Sequence, residues 1–401
     1  MKSIILLVAC LFVLITESAR DEQKPKASLQ SIDIVANMDN FKQSNLSQFS
    51  SDIKYIPLET KEDALLRVTS NFDISDKSIV ITDGASCLLY DLTGHFIRKF
   101  GTKGRGPEEY QNISNLTICN DKKILFTSMQ DLFEFNTDGS FSRRYSKFID
   151  PKYYLSTWHL VNDSLLLCVF DNLSGRDEFK ALLVSKNGVV KHKFRNYEVI
   201  EHKGSRIFNG IPKIYEFNKS VYLKEQFNDT LFSLNNNYEL IPQFTFNLGR
   251  LKMPPDVRAV FSEWTKRMND YVLINEIFQT PDYLFLNVNL GNKGSSKVLG
   301  IFNKKTKEFF FSQTTNSENS LLKAGFFNDF DAGPMFFPGK MINDYTMAMI
   351  IEAKQIIDYV KSNDFKDNIP KYPEKKKQFE NLAKSLTEFD NPVLMLVTFK
   401  K

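Results

Sequence analysis

Ten consecutive residues, Gly101-Thr102-Lys103-Gly104-Arg105-Gly106-Pro107-Glu108-Glu109-Tyr110, hold the most unusual chemistry in this sequence. Three glycines let the backbone turn tightly and expose N–H groups, and Arg105 offers a planar fork suited to a carboxylate or sulfate. With Glu108, Glu109 and Tyr110 it forms a candidate ligand-binding loop. It is not a phosphate-binding P-loop, because no Gly-Lys-Ser/Thr follows and no helix is expected to start there. The competing role is a connector in which Arg105 pairs with Glu108 or Glu109 while Tyr110 packs. Trp158-His159, close to Tyr153-Tyr154, is a second candidate: aromatic faces beside polar groups suit sugar rings, although such residues also fill strand cores. His95, His159, His192 and His202 are widely separated, so a metal site or catalytic triad would need long-range convergence. Asn328-Asp329-Phe330-Asp331 and Asp390-Asn391 could ligate calcium or act as acid and base, but Asx residues at these places also make turns. No catalytic residue, metal or cofactor is assigned.

The remaining chemistry excludes several classes. Cys87, Cys119 and Cys168 form no CxxC pair and sit in apolar surroundings, so they read as buried small hydrophobes rather than a zinc site or disulfide framework. A net charge of +4 over 401 residues is too slight and dispersed for a nucleic-acid footprint. The chain is 42% hydrophobic with 36 Phe and 15 Tyr against 17 Gly, and aromatics at that density favour pleated, half-buried surfaces.

Residues 1–19 read as an export signal. Met1-Lys2-Ser3 is a short positive segment, and the apolar run Ile4 to Ile15 has the length of a signal-peptide core and is too short to span a bilayer. Two processing routes stay open. Leu7-Val8-Ala9-Cys10 resembles a lipobox, which makes Cys10 a lipidation candidate and the lipid a membrane anchor. Cleavage near Thr16-Glu17-Ser18-Ala19 is the alternative. Residues 20–50, rich in Lys, Gln, Ser and Asn, read as a spacer.

Stepping along the chain from residue 51, short apolar runs alternate with turn signals. Leu88 to Lys99 matches Leu132 to Arg144: each is a strand, a polar turn with Gly, then a strand opening Gly-x-Phe. Weaker copies run from Leu182, Thr230 and Val298. The first four turns recur every 45–50 residues or so, the period of a four-stranded propeller blade. Pro254 to Val272, Asp344 to Val360 and Glu374 to Leu386 read as helices inserted near 255–272 and 345–387. The final strand, Pro392 to Phe399, has a natural partner in Ile53 to Leu58, because an open sheet edge invites aggregation.

The segment Phe96 to Tyr110, with its Gly-x-x-Gly-x-Gly-Pro-x-Glu-Tyr pattern, resembles the signature of a Bacteroidetes-type family of exported six-bladed β-propellers related to NHL-repeat propellers. Asn328-Asp329-Phe330-Asp331, Phe337-Pro338 and Asp390 to Leu394 resemble that family's closing segments. The resemblance implies an all-β six-bladed propeller over 51–401, a periplasmic or cell-surface location, a lipoprotein anchor and a binding role without a settled reaction. The expected ligand is a glycan, a peptide or another envelope protein, met at the central funnel by Arg105, Glu108 and Tyr110 with Trp158 or His159. An envelope scaffold ranks second, with its partner on the helices. A metal-assisted hydrolase or lyase acting on polysaccharide or lactone ranks third.

Overall fold

The computed structural model describes residues 29–67, 71–201, 207–291, 297–313 and 324–401. The expected signal peptide, Cys10 and His202 lie outside them. The protein is mostly β, and its strands form six sheets of four or five strands plus one two-stranded ribbon.

Sheets I to III are plain antiparallel meanders. Sheet I runs through Asn71–Ile74, Ser78–Thr82, Cys87–Asp91 and Phe96–Phe100. Sheet II comprises Leu116–Cys119, Lys123–Ser128, Asp131–Asn136 and Phe141–Tyr145. Sheet III comprises Leu155–Asn162, Leu165–Phe170, Phe179–Ser185 and Val190–Arg195. The two matching hairpins turn at Gly94 (φ +91°) and Gly139 (φ +95°), the left-handed region that glycine enters without a Cβ clash. Both hairpins shift register two or three residues before the turn, after Leu89 and after Glu134, so the sequence match extends to backbone detail.

The other three sheets recruit the N-terminal segment. Sheet IV is Lys213–Phe217, Ser220–Lys224, Thr230–Leu234 and Leu240–Asn247, with Gln30–Asp33 added in parallel to its last strand. Sheet V is Leu273–Gln279, Tyr283–Asn289, Lys297–Asn303 and Phe309–Ser312, with Phe41–Lys42 added in the same way. Sheet VI is Lys340–Asn343, Thr346–Ile351 and Val393–Phe399, completed by Ser50–Pro57. The expected pairing of the early and final strands is present, with Leu394 opposite Ile56 and Val397 opposite Ile53.

Three expectations need correction. Residues 29–50 are not a spacer: Ile32, Ile34 and Leu46 are fully buried, and the polar residues around them cover the outer edges of sheets IV and V. Composition averaged over the segment hid three anchoring side chains. The helix expected over Asp344 to Val360 begins only at Ala353, capped by Glu352 with Gln355. Thr346–Ile351 is a strand flanked on both sides by others, so its apolar run carries no alternation to betray it. The helix over 255–272 is two short ones, Pro255–Ala259 and Phe261–Arg267, broken where Val260 is extended. The last expected helix is observed as Pro373–Ser385.

Core packing is between sheet faces and strongly aromatic. Phe285, Phe326, Phe336 and Phe399 pack with centroids 5.1–6.4 Å apart under sheets V and VI. Each buries a large apolar area, worth about 1.5–3 kcal/mol relative to exposure. Cys87, Cys119 and Cys168 are free and buried, as expected.

Candidate functional site

The first strand of every one of the six sheets faces one cavity of about 1010 Å³. This common placement makes the cavity the meeting point of the repeat, and its lining mixes charged and amide side chains such as Asp73, Asn115, Lys213 and Glu276 with apolar ones such as Ile74, Leu160 and Ile277.

A belt of polar contacts joins neighbouring sheets around it. Asp73 of sheet I accepts hydrogen bonds at Oδ2 from the Thr117 hydroxyl (2.7 Å) and the Ile118 N–H (2.9 Å) of sheet II. Its Oδ1 lies 3.5 Å from Lys340 Nζ of sheet VI, which also donates to the Phe72 carbonyl. The Thr157 hydroxyl of sheet III donates to Oδ1 of Asn115, the residue just before sheet II, at 3.2 Å. Across the cavity, Lys213 of sheet IV pairs with Glu276 of sheet V at 2.5 Å. Burial pushes the Glu276 carboxyl up, a shift that Lys213 opposes without cancelling.

His159 lines the same cavity, half-buried. Desolvation lowers its pKa to about 4, with Asp73 pulling it up and Lys340 pushing it down, so the ring is neutral at pH 7. Trp158 is buried beside it, and its indole N–H donates to the Thr127 hydroxyl at 3.3 Å. The lining carries seven carboxylates and three lysines, which makes the cavity acidic. Asp76, Asp121, Asp163 and Asp344 contribute from the turn ends of their strands. Among the described residues, no group of three His, Cys, Asp or Glu side chains could hold a metal ion.

The structure separates the sequence candidates into two places. Trp158 and His159 line the cavity, whereas Arg105, Glu108, Glu109 and Tyr110 do not. The glycine loop closes on itself as a small parallel ribbon, Thr102–Lys103 against Glu109–Tyr110. Glu109 Oε2 accepts the Gly106 N–H at 2.7 Å, and a Cβ on Gly104 would lie 2.0 Å from that same oxygen. Tyr110 is 1% exposed, edge-on to Phe126 at 5.2 Å, and its hydroxyl donates to the Phe100 carbonyl at 3.3 Å. Arg105 and Glu108 are exposed, and no carboxylate among the described residues is within ion-pair distance of Arg105. The acidic candidates make turns. Asp331 is buried and takes Asn328 Nδ2 at 2.6 Å and Gly333 N–H at 2.8 Å, Asp329 caps Ser47, and Asn391 holds Leu66 N–H at 2.9 Å.

Sequence reasoning missed Asp73, Lys213, Glu276 and Lys340. The available signal was weak, a single charge in the first strand of four repeats at no common position: Lys213 and Lys340 open their strands, while Asp73 and Glu276 lie inside theirs.

The chain shares its fold with a crystal structure from Bacteroides fragilis described as a "Putative exported protein": the TM-score is 0.65 at 16% identity, over 93% of this chain and 100% of that one. A protein of unknown function from Bacteroides caccae aligns with a TM-score of 0.40 at 10% identity, over 64% and 85% of the two chains. A catalytically inactive virginiamycin B lyase from Staphylococcus aureus, solved with quinupristin, aligns at 0.40 and 14% identity, over 68% and 79%. The chain belongs to the family described as a domain of unknown function, DUF4934, whose model matches residues 29–398. No curated protein matches it. No helix among the described residues is long and apolar enough to cross a membrane.

Proposed function

We propose that this protein is an exported six-bladed β-propeller that binds a neutral or amine-bearing glycan in its central channel. One observation carries the reading: six sheets present their first strands to a single cavity, and polar contacts around it join sheet I to II, II to III, IV to V and VI to I. The pairing of the early and late strands within sheet VI supports a ring of blades, because it is the way a propeller joins its two chain ends. The carboxylates, amides, hydroxyls and lysines of the lining supply both acceptors and donors, as a polyhydroxyl ligand requires. Excess carboxylate disfavours an acidic ligand there. The export signal expected at residues 1–19, whether cleaved near Ala19 or lipidated at Cys10, supports a location in the periplasm or at the cell surface.

Melting curves test the reading directly. A ligand that binds only the folded state raises the melting temperature by mass action. Neutral and amino oligosaccharides are expected to raise it, uronic-acid oligomers are not, and Asp73→Asn with Glu276→Gln removes the effect. Stabilisation by uronic acids alone, or by no glycan at all, overturns the assignment.

A scaffold role has one observation in its favour. Val260 and Phe261 are exposed, and the Phe261 ring lies 5.5 Å from Phe208, which stacks on Trp264 at 5.3 Å. An envelope protein docking there would be lost on Phe261→Ser without effect on glycan binding, which a pull-down from envelope extracts measures.

A further inference from the structure

A second cavity, of about 490 Å³, opens between sheets II and III and shares Cys119, Asn120 and Asp163 with the channel lining. Asn120 Nδ2 donates to Asp163 Oδ1 at 2.5 Å, so these two side chains form the partition. Beyond it the sign of the charge reverses. Glu134 lines this cavity, its side chain 5% exposed, and it is shared by two lysines from different sheets. Its Oε1 pairs with Lys123 and accepts the Ser142 hydroxyl at 2.9 Å, while its Oε2 pairs with Lys186 at 2.8 Å.

One carboxylate between two ammonium groups leaves one positive charge uncompensated. The Lys186 side chain is 14% exposed, and Glu134 is its sole side-chain acceptor among the described residues. An ammonium has three donors, so two remain for something else. Lys122 and Arg143 line the same cavity from exposed positions and pair with no carboxylate among the described residues. Arg143 instead rests on the Tyr145 ring, 5.6 Å from its centroid. Asp163 at the partition is the other carboxylate of the lining. Surplus charge in a partly dehydrated hollow is unfavourable unless a counter-charge joins it, and low-dielectric walls of one sign concentrate counter-ions.

We infer that this cavity binds an oxyanion, the sulfate or carboxylate group of an acidic ligand, held by Lys186 inside and by Lys122 and Arg143 at the rim. The acidic channel beside it excludes the same group, so one protein offers adjacent sites of opposite preference.

The purified full chain is titrated with sodium sulfate and, separately, with sodium acetate, at ionic strength held constant with chloride. Wild type is compared with the Lys122→Gln/Arg143→Gln variant, whose substituted side chains are exposed and whose anion-free melting temperature is expected to match wild type. The expected result is a saturable rise in melting temperature with at least one anion, weakened about tenfold in the variant. Saturation with sulfate alone, or with acetate alone, supports the site and names its group. Sulfate also raises melting temperatures without binding, by exclusion from the surface. A non-saturating rise of equal slope in both proteins, or none with either anion, overturns the proposal. Neutral-glycan stabilisation is expected to be the same in both proteins, which separates failure here from failure of the channel reading.

Discussion

Replacing Glu134 by Gln removes the carboxylate that Lys123 and Lys186 share, and its cost follows from the site. Burial alone would raise this carboxyl, but hydrogen bonds from Lys123, Lys186 and Ser142 outweigh it and hold the group at about 2, against an ordinary 4.5. That difference corresponds to roughly 3 kcal/mol of folded-state stabilisation. Breaking one partner of a buried pair costs about 3–5 kcal/mol in general, so the two routes agree. The folded pKa is depressed, so the contribution is fully present above pH 4.5 and is lost as pH falls through about 2. By the same relation it has dropped to about 1.4 kcal/mol at pH 3. Urea denaturation of wild type and Glu134→Gln at pH 7 and pH 3 measures both values. The reasoning fails if the pH 7 difference is under about 0.5 kcal/mol, the range of neutral surface changes, or if it does not shrink at pH 3. Replacing Glu134 and Lys186 together by Leu and Met is expected to recover much of the loss, because an apolar pair can substitute for a buried ionic one.

Three further outcomes are expected. Tyr110→Ala lowers stability by about 3–5 kcal/mol, as for other buried aromatics, whereas Arg105→Ala stays within about 0.5 kcal/mol; denaturation curves decide both. His159 titrates near 4 when folded and near 6.5 when unfolded, so the unfolded chain binds the extra proton and stability falls as pH drops from 6.5 to 4. The loss is at most about 3 kcal/mol, and His159→Gln flattens that part of the stability–pH profile. Gly94→Ala, whose Cβ would lie 2.0 Å from the Pro57 carbonyl oxygen at φ +91°, lowers stability by more than about 1 kcal/mol in the same assay.

How much of this was legible in sequence depends on the range of the signal. The hairpins at Gly94 and Gly139 were readable because a tight turn needs glycine locally, and the pairing of Ile53–Leu58 with the final strand followed from the need to cover an edge. Thr346–Ile351 was not readable as a strand, because burial on both faces erases alternation. Tyr110 and Trp158 looked alike as aromatics that either meet a ligand or fill the core; both are buried, and only Trp158 borders the cavity. Nothing in residue type distinguishes them, since the difference is which sheet face each strand presents. Asp73 and Lys340 are 267 positions apart in the chain, within 3.5 Å in space, and no spacing rule joins them. Ile32 and Ile34 escaped notice because two anchors in a polar stretch leave little periodicity.

The claim that the ligand occupies the channel is most directly tested by tryptophan fluorescence. The chain has two tryptophans, and Trp264→Phe leaves Trp158, which borders the channel, as the single reporter. Titration with a neutral or amino oligosaccharide that raises the melting temperature is predicted to change Trp158 emission saturably, and Asp73→Asn with Glu276→Gln to abolish the change. Stabilisation by the sugar with no response at Trp158, or a response unaffected by those two substitutions, would place the ligand elsewhere and contradict the account.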